Sequence, residues 1–171
     1  MVLRLASLGD GSAARLLAAR GLFEDGRETE ALAEIDNILE SDPDHYMTRY
    51  YLGEIYSTRG DTWRAMLEYG KVLRVHPRHR HTLRRLGDLH FSINAFEAAA
   101  DCYRRVLEID PNDVAGWLRL GALAFALGRD QEAVAAFQRA VKINPSIAAS
   151  GHTIGDFYGL VRSLQATRTG G

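Results

Sequence analysis

The sequence predicts an all-α fold, a solenoid of stacked helix–turn–helix units, and two observations support this prediction. The chain has only four prolines, each 34 residues after the one before, namely Pro43, Pro77, Pro111 and Pro145. A period of this length is typical of helical repeats that stack to bury a face that none could bury alone. With proline set as position 32, position 15 is always glycine or asparagine, which tolerate the left-handed backbone at a helix end.

This frame divides the chain into consecutive segments. The four repeats are predicted at 12–45, 46–79, 80–113 and 114–147, preceded by an N-terminal extension over 1–11. A capping helix is predicted over 148–164 and a disordered tail over 165–171. Within the first repeat, the pattern predicts one helix from Ser12 to Glu24 and a second from Arg27 to Ser41.

Two positions of the frame carry only small residues. Position 20 is Ala31, Ala65, Ala99 and Ala133, and position 8 is Ala19, Gly53, Gly87 and Gly121. Small side chains let two helices approach closely, so position 8 is expected to face position 20. Large residues at positions 7 and 24 are expected to fill the remaining space of each repeat.

The pattern resembles the tetratricopeptide repeat family, whose signature combines an aromatic at position 4, Leu-Gly at 7 and 8, Tyr at 11, Ala at 20, an aromatic at 24, Ala at 27 and Pro at 32. The fourth repeat carries Trp117, Leu120, Gly121, Ala133, Phe137, Ala140 and Pro145. The resemblance implies a right-handed α-solenoid. Departures such as Arg15 and Arg49 at position 4 and His90 at position 11 predict looser packing near the N-terminus.

Composition narrows the functional classes. A net charge of −1 gives no general attraction to nucleic acid or to a membrane, and no apolar run is long enough to span a bilayer. Gly9, Asp10 and Gly11 interrupt the apolar N-terminus, which argues against a cleaved secretory signal. The single cysteine excludes an intramolecular disulfide and fits a reducing compartment. A cytoplasmic protein with no membrane partner is therefore expected.

The resemblance also implies a function, since first helices in this family line a concave groove that binds extended peptides. We therefore expect a non-catalytic protein–protein interaction adaptor or assembly scaffold. The arginines of the groove suit an acidic or phosphorylated partner, and its tyrosines suit a large apolar anchor of that partner. These arginines and tyrosines are expected to form one patch. The candidate partner-binding residues are Tyr50, Tyr51, Glu54, His81, Arg84, Arg85, Asp88, Phe91, Arg119 and Phe125.

One known ligand of the family is disfavoured. Some members hold the C-terminal carboxylate of a heat-shock chaperone with a clamp of Lys, Asn, Asn, Lys and Arg on successive first helices. At the matching positions this chain carries Leu16, Arg20, Tyr51, His81 and Arg85. Only Arg85 agrees, so a chaperone tail is not the expected partner.

The basic junction over 74–85 leaves alternatives open. Its arginines could pair with acids of neighbouring repeats in a solvated turn, or could bind an acidic partner. Its histidines, His76, His79 and His81, could ligate a metal, although their spacing matches no standard site. The junction could also bind RNA, and an accessory subunit of an enzyme complex is a further alternative.

Catalysis is not expected, and neither is a cofactor. The sequence has no phosphate-binding glycine loop, nucleophile elbow or zinc-protease motif. Cys102 occupies position 23, where the first two repeats carry Glu34 and Glu68, and is expected to be partly exposed without a histidine to activate it.

Overall fold

The computed structural model describes residues 10–149, and this range is helical, with short turns between the helices. The first of two compact units ends at Pro77 and contains α1 (Asp10–Glu24), α2 (Glu28–Ser41), α3 (Tyr46–Thr58) and α4 (Thr62–Val75). The second unit begins at Arg78 and contains α5 (Arg80–Ser92), α6 (Phe96–Ile109), α7 (Val114–Ala126), α8 (Asp130–Ile143) and α9 (Ser146–Ala149). This arrangement confirms the predicted all-α class.

Helices pack in sequential pairs within each unit. The pairs α1 with α2 and α3 with α4 form the first unit, and α5 with α6 and α7 with α8 form the second. Helix α1 begins at Asp10, inside the predicted extension. The rest of that extension, nearly all of the predicted capping helix and the predicted tail lie outside the described residues. No helix within residues 10–149 has the length and apolar character needed to cross a membrane.

The turn inside each pair is made by a residue with a left-handed backbone, as the sequence predicts for position 15. An asparagine at this position keeps the same geometry because it tolerates positive φ better than most residues with a side chain. The four residues are Gly26 at +77°, Gly60 at +75°, Asn94 at +62° and Gly128 at +71°.

The small residue at position 8 has a different neighbour from the one predicted. A Cβ on Gly87 would lie 2.6 Å from Cε1 of Tyr103, and a Cβ on Gly53 would lie 2.5 Å from Cε1 of Tyr69. Position 8 therefore faces the position-24 ring, and not chiefly the alanine at position 20. The first repeat has Ala19 where these two have glycine, and its position 24 is the smaller Ile35.

Arg49 shows that position 4 need not be aromatic. Its Nε donates to the Pro43 carbonyl at 2.6 Å, as Trp117 Nε1 donates to the Pro111 carbonyl at 2.9 Å. Arg49 also pairs with the buried Glu68 at 3.0 Å. The looser packing predicted from Arg49 is therefore wrong at this site, because polar contacts replace the aromatic ones.

The first helices of three repeats are capped by the residue at position 34. The side chain of Asp113 accepts the Gly116 amide proton at 2.7 Å. Histidines do the same in the two repeats before it: Nδ1 of His45 accepts from the Thr48 amide, and Nδ1 of His79 accepts from the Thr82 amide. These caps satisfy amides that have no partner inside a helix and fix where each first helix starts.

Candidate functional site

The first unit presents an aromatic surface on α1 and α3. Tyr51 is half-buried, with Phe23 packed edge-on at 6.4 Å and the Arg20 guanidinium 5.6 Å from its ring centroid. Burial raises the pKa of Tyr51, so its hydroxyl remains protonated at neutral pH. Leu17 and Met47 are exposed on the same pair of helices. The surface therefore combines a fixed aromatic base with accessible apolar side chains.

Tyr50 and Glu54 have structural roles next to this surface. The ring of Tyr50 lies 5.7 Å from that of Tyr69, and the Tyr69 hydroxyl donates to Glu54. Leu17 was missed as a candidate, although it shares position 6 with Tyr51 and Arg85. Its position in the repeat was the available signal.

The second unit holds a polar triad whose members come from α5, α6 and α7. Asp88 of α5 accepts a two-pronged hydrogen bond from Arg119 of α7, with Nη2 to Oδ2 at 2.9 Å, and a third from the Tyr103 hydroxyl at 2.8 Å. The bond to Asp88 raises the pKa of Arg119, and burial raises that of Tyr103. The charge of Arg119 is therefore largely balanced inside the protein.

Arg84 is held less tightly. Its Nη2 lies 3.2 Å from Nδ1 of His81, and its Nη1 lies 3.7 Å from Asp113. A separation of 3.7 Å is too long for a hydrogen bond. Asp113 accepts the capping bond from the Gly116 amide, and Arg80 lies 3.6 Å from it, about as far away as Arg84. Arg84 therefore keeps donors that a ligand could use.

The arginines of the junction form ion pairs inside their own units. Arg74 pairs with Asp44 at 3.1 Å in the first unit, and Arg80 pairs with Asp110 in the second. These contacts favour the interpretation of a solvated turn whose arginines meet acids of neighbouring repeats. Arg85 is an exposed residue of α5.

The junction histidines have separate roles. The ring of His76 packs 4.1 Å from that of Tyr46, His79 caps α5, and His81 meets Arg84. Within residues 10–149 no cluster of three His, Cys, Asp or Glu side chains could hold a metal ion.

The two phenylalanines among the candidates differ in accessibility. Phe91 is half-buried and packs 5.6 Å from Phe96. Phe125 is only 7% exposed and lies in a cluster with Ala124 and Ala133. Phe91 can contact a partner at its edge, whereas Phe125 offers little surface and supports the helix from within.

Cys102 is buried, so the predicted partial exposure is wrong. Its exposed fraction is 4%, and burial raises the pKa of its thiol to about 11. The prediction compared it with Glu68, but Glu68 is itself buried against Arg49. In the second repeat position 23 faces position 4 through this ion pair, and in the third repeat the same two positions hold Leu83 and Cys102, both buried.

The paired helices and their ordered polar contacts define a helical-repeat protein of the kind that binds other proteins. A family model described as tetratricopeptide repeat matches residues 16–71, 60–114 and 84–146. The chain belongs to this family, and its repeats make it a protein-interaction scaffold in the general sense.

Solved structures show the same fold. A crystal structure of MamA protein is similar, with a TM-score of 0.76 and 20% identity over 94% of this chain and 87% of that chain. Another crystal structure of MamA gives a TM-score of 0.72 at 16% identity, covering 81% of each chain. The pilF protein of Pseudomonas aeruginosa gives 0.71 at 20% identity, over 92% of this chain and 72% of that chain. No match is found among curated proteins.

Proposed function

We propose that the chain is a non-catalytic adaptor that binds an extended peptide along α5 and α7 of the second unit. The peptide carries an acidic or phosphorylated group that meets Arg84, and an apolar side chain that meets Phe91 or Leu118, a partly exposed residue of α7. The observation that carries this proposal is the weak contact of Arg84 with the protein's own acids, since its nearest carboxylate among residues 10–149 lies 3.7 Å away. Clustered arginines bind carboxylates and phosphates through charge-assisted hydrogen bonds.

The polar triad would support this surface without being its anchor. Asp88 holds Arg119 and Tyr103 in fixed positions, so the floor of the surface is already ordered before a peptide arrives. Arg119 is a weaker anchor than the sequence suggested, because a peptide carboxylate would compete with Asp88 for the same donors.

The aromatic surface of the first unit is a second candidate for partner contact. Leu17, Met47 and Tyr51 would take an apolar side chain of a protein partner. This apolar surface belongs to the first unit alone. The single cysteine fits an adaptor that works in the reducing cytoplasm.

A peptide array tests the acidic-peptide proposal. The array holds extended peptides, and each peptide is synthesised in three versions that carry glutamate, phosphoserine or glutamine at one position. Each version is probed with the wild-type chain and with Arg84→Glu. We expect the first two versions to bind the wild type, binding to weaken with salt, and Arg84→Glu to lose at least tenfold in affinity.

Arg104→Glu is the matched control. Arg104 is an exposed arginine of α6 in the same unit, so the charge change is the same but the location differs. The control should bind like the wild type. Equal binding of the glutamine version, or equal losses in both variants, would contradict the proposal.

A further inference from the structure

The outer face of α4 carries two large apolar side chains that the fold does not use. Trp63 is 73% exposed and Leu67, one turn later, is 58% exposed. The opposite face of the same helix supplies Ala65, Tyr69 and Val72 to the core, all fully buried. Helix α4 is thus packed without Trp63 or Leu67, and together the two side chains form an exposed apolar surface, the kind of feature that marks an interaction site.

The other repeats show that the architecture does not require these residues. Where α4 has Trp63, the equivalent position 18 holds polar residues, namely Thr29, Glu97 and Gln131. Where α4 has Leu67, position 22 holds Ala33, Asp101 and Ala135. The apolar pair is therefore particular to the second repeat.

Gly70 is a third unusual residue on this face. A Cβ at Gly70 would meet nothing within 4 Å, so no contact inside the protein demands a glycine there. Glycine within a helix is nevertheless less favourable than alanine. Because Gly70 has no side chain, the surface has a shallow depression one turn beyond Leu67, where the backbone of another helix could approach.

The charges around this face have one sign on α4 itself. Arg64 and Arg74 are exposed near its two ends, while Glu68, the one acid of α4, is buried. Asp61 lies 3.4 Å from Arg64 and Asp44 lies 3.1 Å from Arg74, but exposed pairs of this kind are weak and exchangeable. The outer face of α2, by contrast, exposes Glu30, Asp36 and Glu40.

We infer that this face, called the α4 ridge and formed by Trp63, Leu67, Gly70, Arg64 and Arg74, docks an amphipathic α-helix of a partner protein. The apolar stripe of that helix packs on Trp63 and Leu67, and a small residue meets Gly70. Its acidic side chains meet Arg64 and Arg74. Helix-on-helix docking of this type uses anchors spaced by one turn, as on the ridge.

The test uses a display library of helical peptides of 14 residues, the length of α4. Apolar, small and charged positions are randomised, and the library is selected on the wild-type chain. The counter-selection variant is W63Q/L67A/G70Q, which places on α4 the residues that α8 has at the same positions, Gln131, Ala135 and Gln138. We expect selected peptides with an apolar stripe, a small central residue and acidic flanks, whose affinity for the variant is at least tenfold lower.

The variant should fold as well as the wild type, because the three residues are exposed and glutamine favours a helix more than glycine does. Gly70→Gln alone should therefore raise the melting temperature while it weakens peptide binding; a lowered melting temperature would give Gly70 a structural role and contradict the inference. The graft Q131W/A135L/Q138G on α8 is the reciprocal control and should gain affinity for peptides that lack the acidic flanks.

Three results would overturn the inference. The selection could yield no peptide that depends on the ridge, or only basic or extended ones. Vesicles of phosphatidylserine and phosphatidylcholine could bind the wild type and not the variant, which would make the ridge a membrane contact. Sedimentation could show that the wild type self-associates through the ridge, which would make a second copy the occupant.

Discussion

At the scale of single residues, His90 is the clearest departure from the family pattern. Position 11 is usually tyrosine, but here an imidazole lies half-buried, and its Nδ1 is buried with no hydrogen-bond partner among the described residues. Burial lowers the pKa of His90, because the charged form loses its hydration. The residue is therefore neutral in the folded protein near physiological pH.

His90 should make the protein sensitive to acid. Its folded pKa lies below the unfolded value of about 6.5, so the unfolded chain takes up a proton first as pH falls. The stability that neutral His90 contributes is complete above the unfolded pKa and is lost as pH falls through the folded one. We expect the urea concentration at the unfolding midpoint to be lower at about pH 5 than at about pH 7.5, and we expect His90→Tyr to reduce this difference.

His81→Gln serves as a control, since His81 is exposed. A His90→Tyr midpoint that falls as steeply as that of the wild type would show that burial of His90 has no effect on stability.

At the scale of helices, the contact between positions 4 and 23 joins the two helices of a repeat. In the second repeat this contact is the pair of Arg49 with Glu68, which Lys71 extends at 2.6 Å. In the fourth repeat the same positions are Trp117 and Ala136. The two positions therefore hold an ion pair in one repeat, and an aromatic residue with a small one in another.

Removing one member of the ion pair should be costly. Arg49→Ala leaves the buried Glu68 with only Lys71 and should lower the free energy of unfolding by about 3 kcal/mol. The double variant R49W/E68A copies the fourth repeat and should recover most of this loss. Urea unfolding of the two variants and of Glu68→Ala gives the coupling between the positions. Additive losses would mean that the pair contributes nothing beyond its separate parts.

How far the sequence predicts the fold depends on the range of the interaction. The turns at Gly26 and Asn94 follow from a local requirement for positive φ, so sequence alone identifies them. The burial of Cys102 and the bond from Arg119 to Asp88 depend on which positions of neighbouring helices meet, and the repeat frame does not state this. The start of α1 at Asp10 was missed because helix ends are weakly encoded.

At the scale of the whole molecule, the single thiol offers a reporter of unfolding. Cys102 is 4% exposed and its pKa is raised to about 11, so little thiolate forms at neutral pH and none is accessible. We expect a thiol-specific reagent to label the native protein far more slowly than the unfolded protein. The labelling rate should rise with urea as the second unit opens, and circular dichroism should follow it. Rapid labelling without denaturant would contradict the buried position.

The pairing of positions also bears on how such a chain could be rearranged by gene duplication and recombination. Positions 4 and 23, like positions 8 and 24, belong to one repeat, so a duplicated or transplanted repeat carries both members of each pair with it. Asp88 and Arg119 belong to successive repeats, and this contact survives only if the third repeat still precedes the fourth. Shuffling whole repeats would therefore preserve the contacts inside each repeat, but it would break the contact between Asp88 and Arg119 whenever the order of these two repeats changed. Exchanging single residues between repeats would break both kinds of contact.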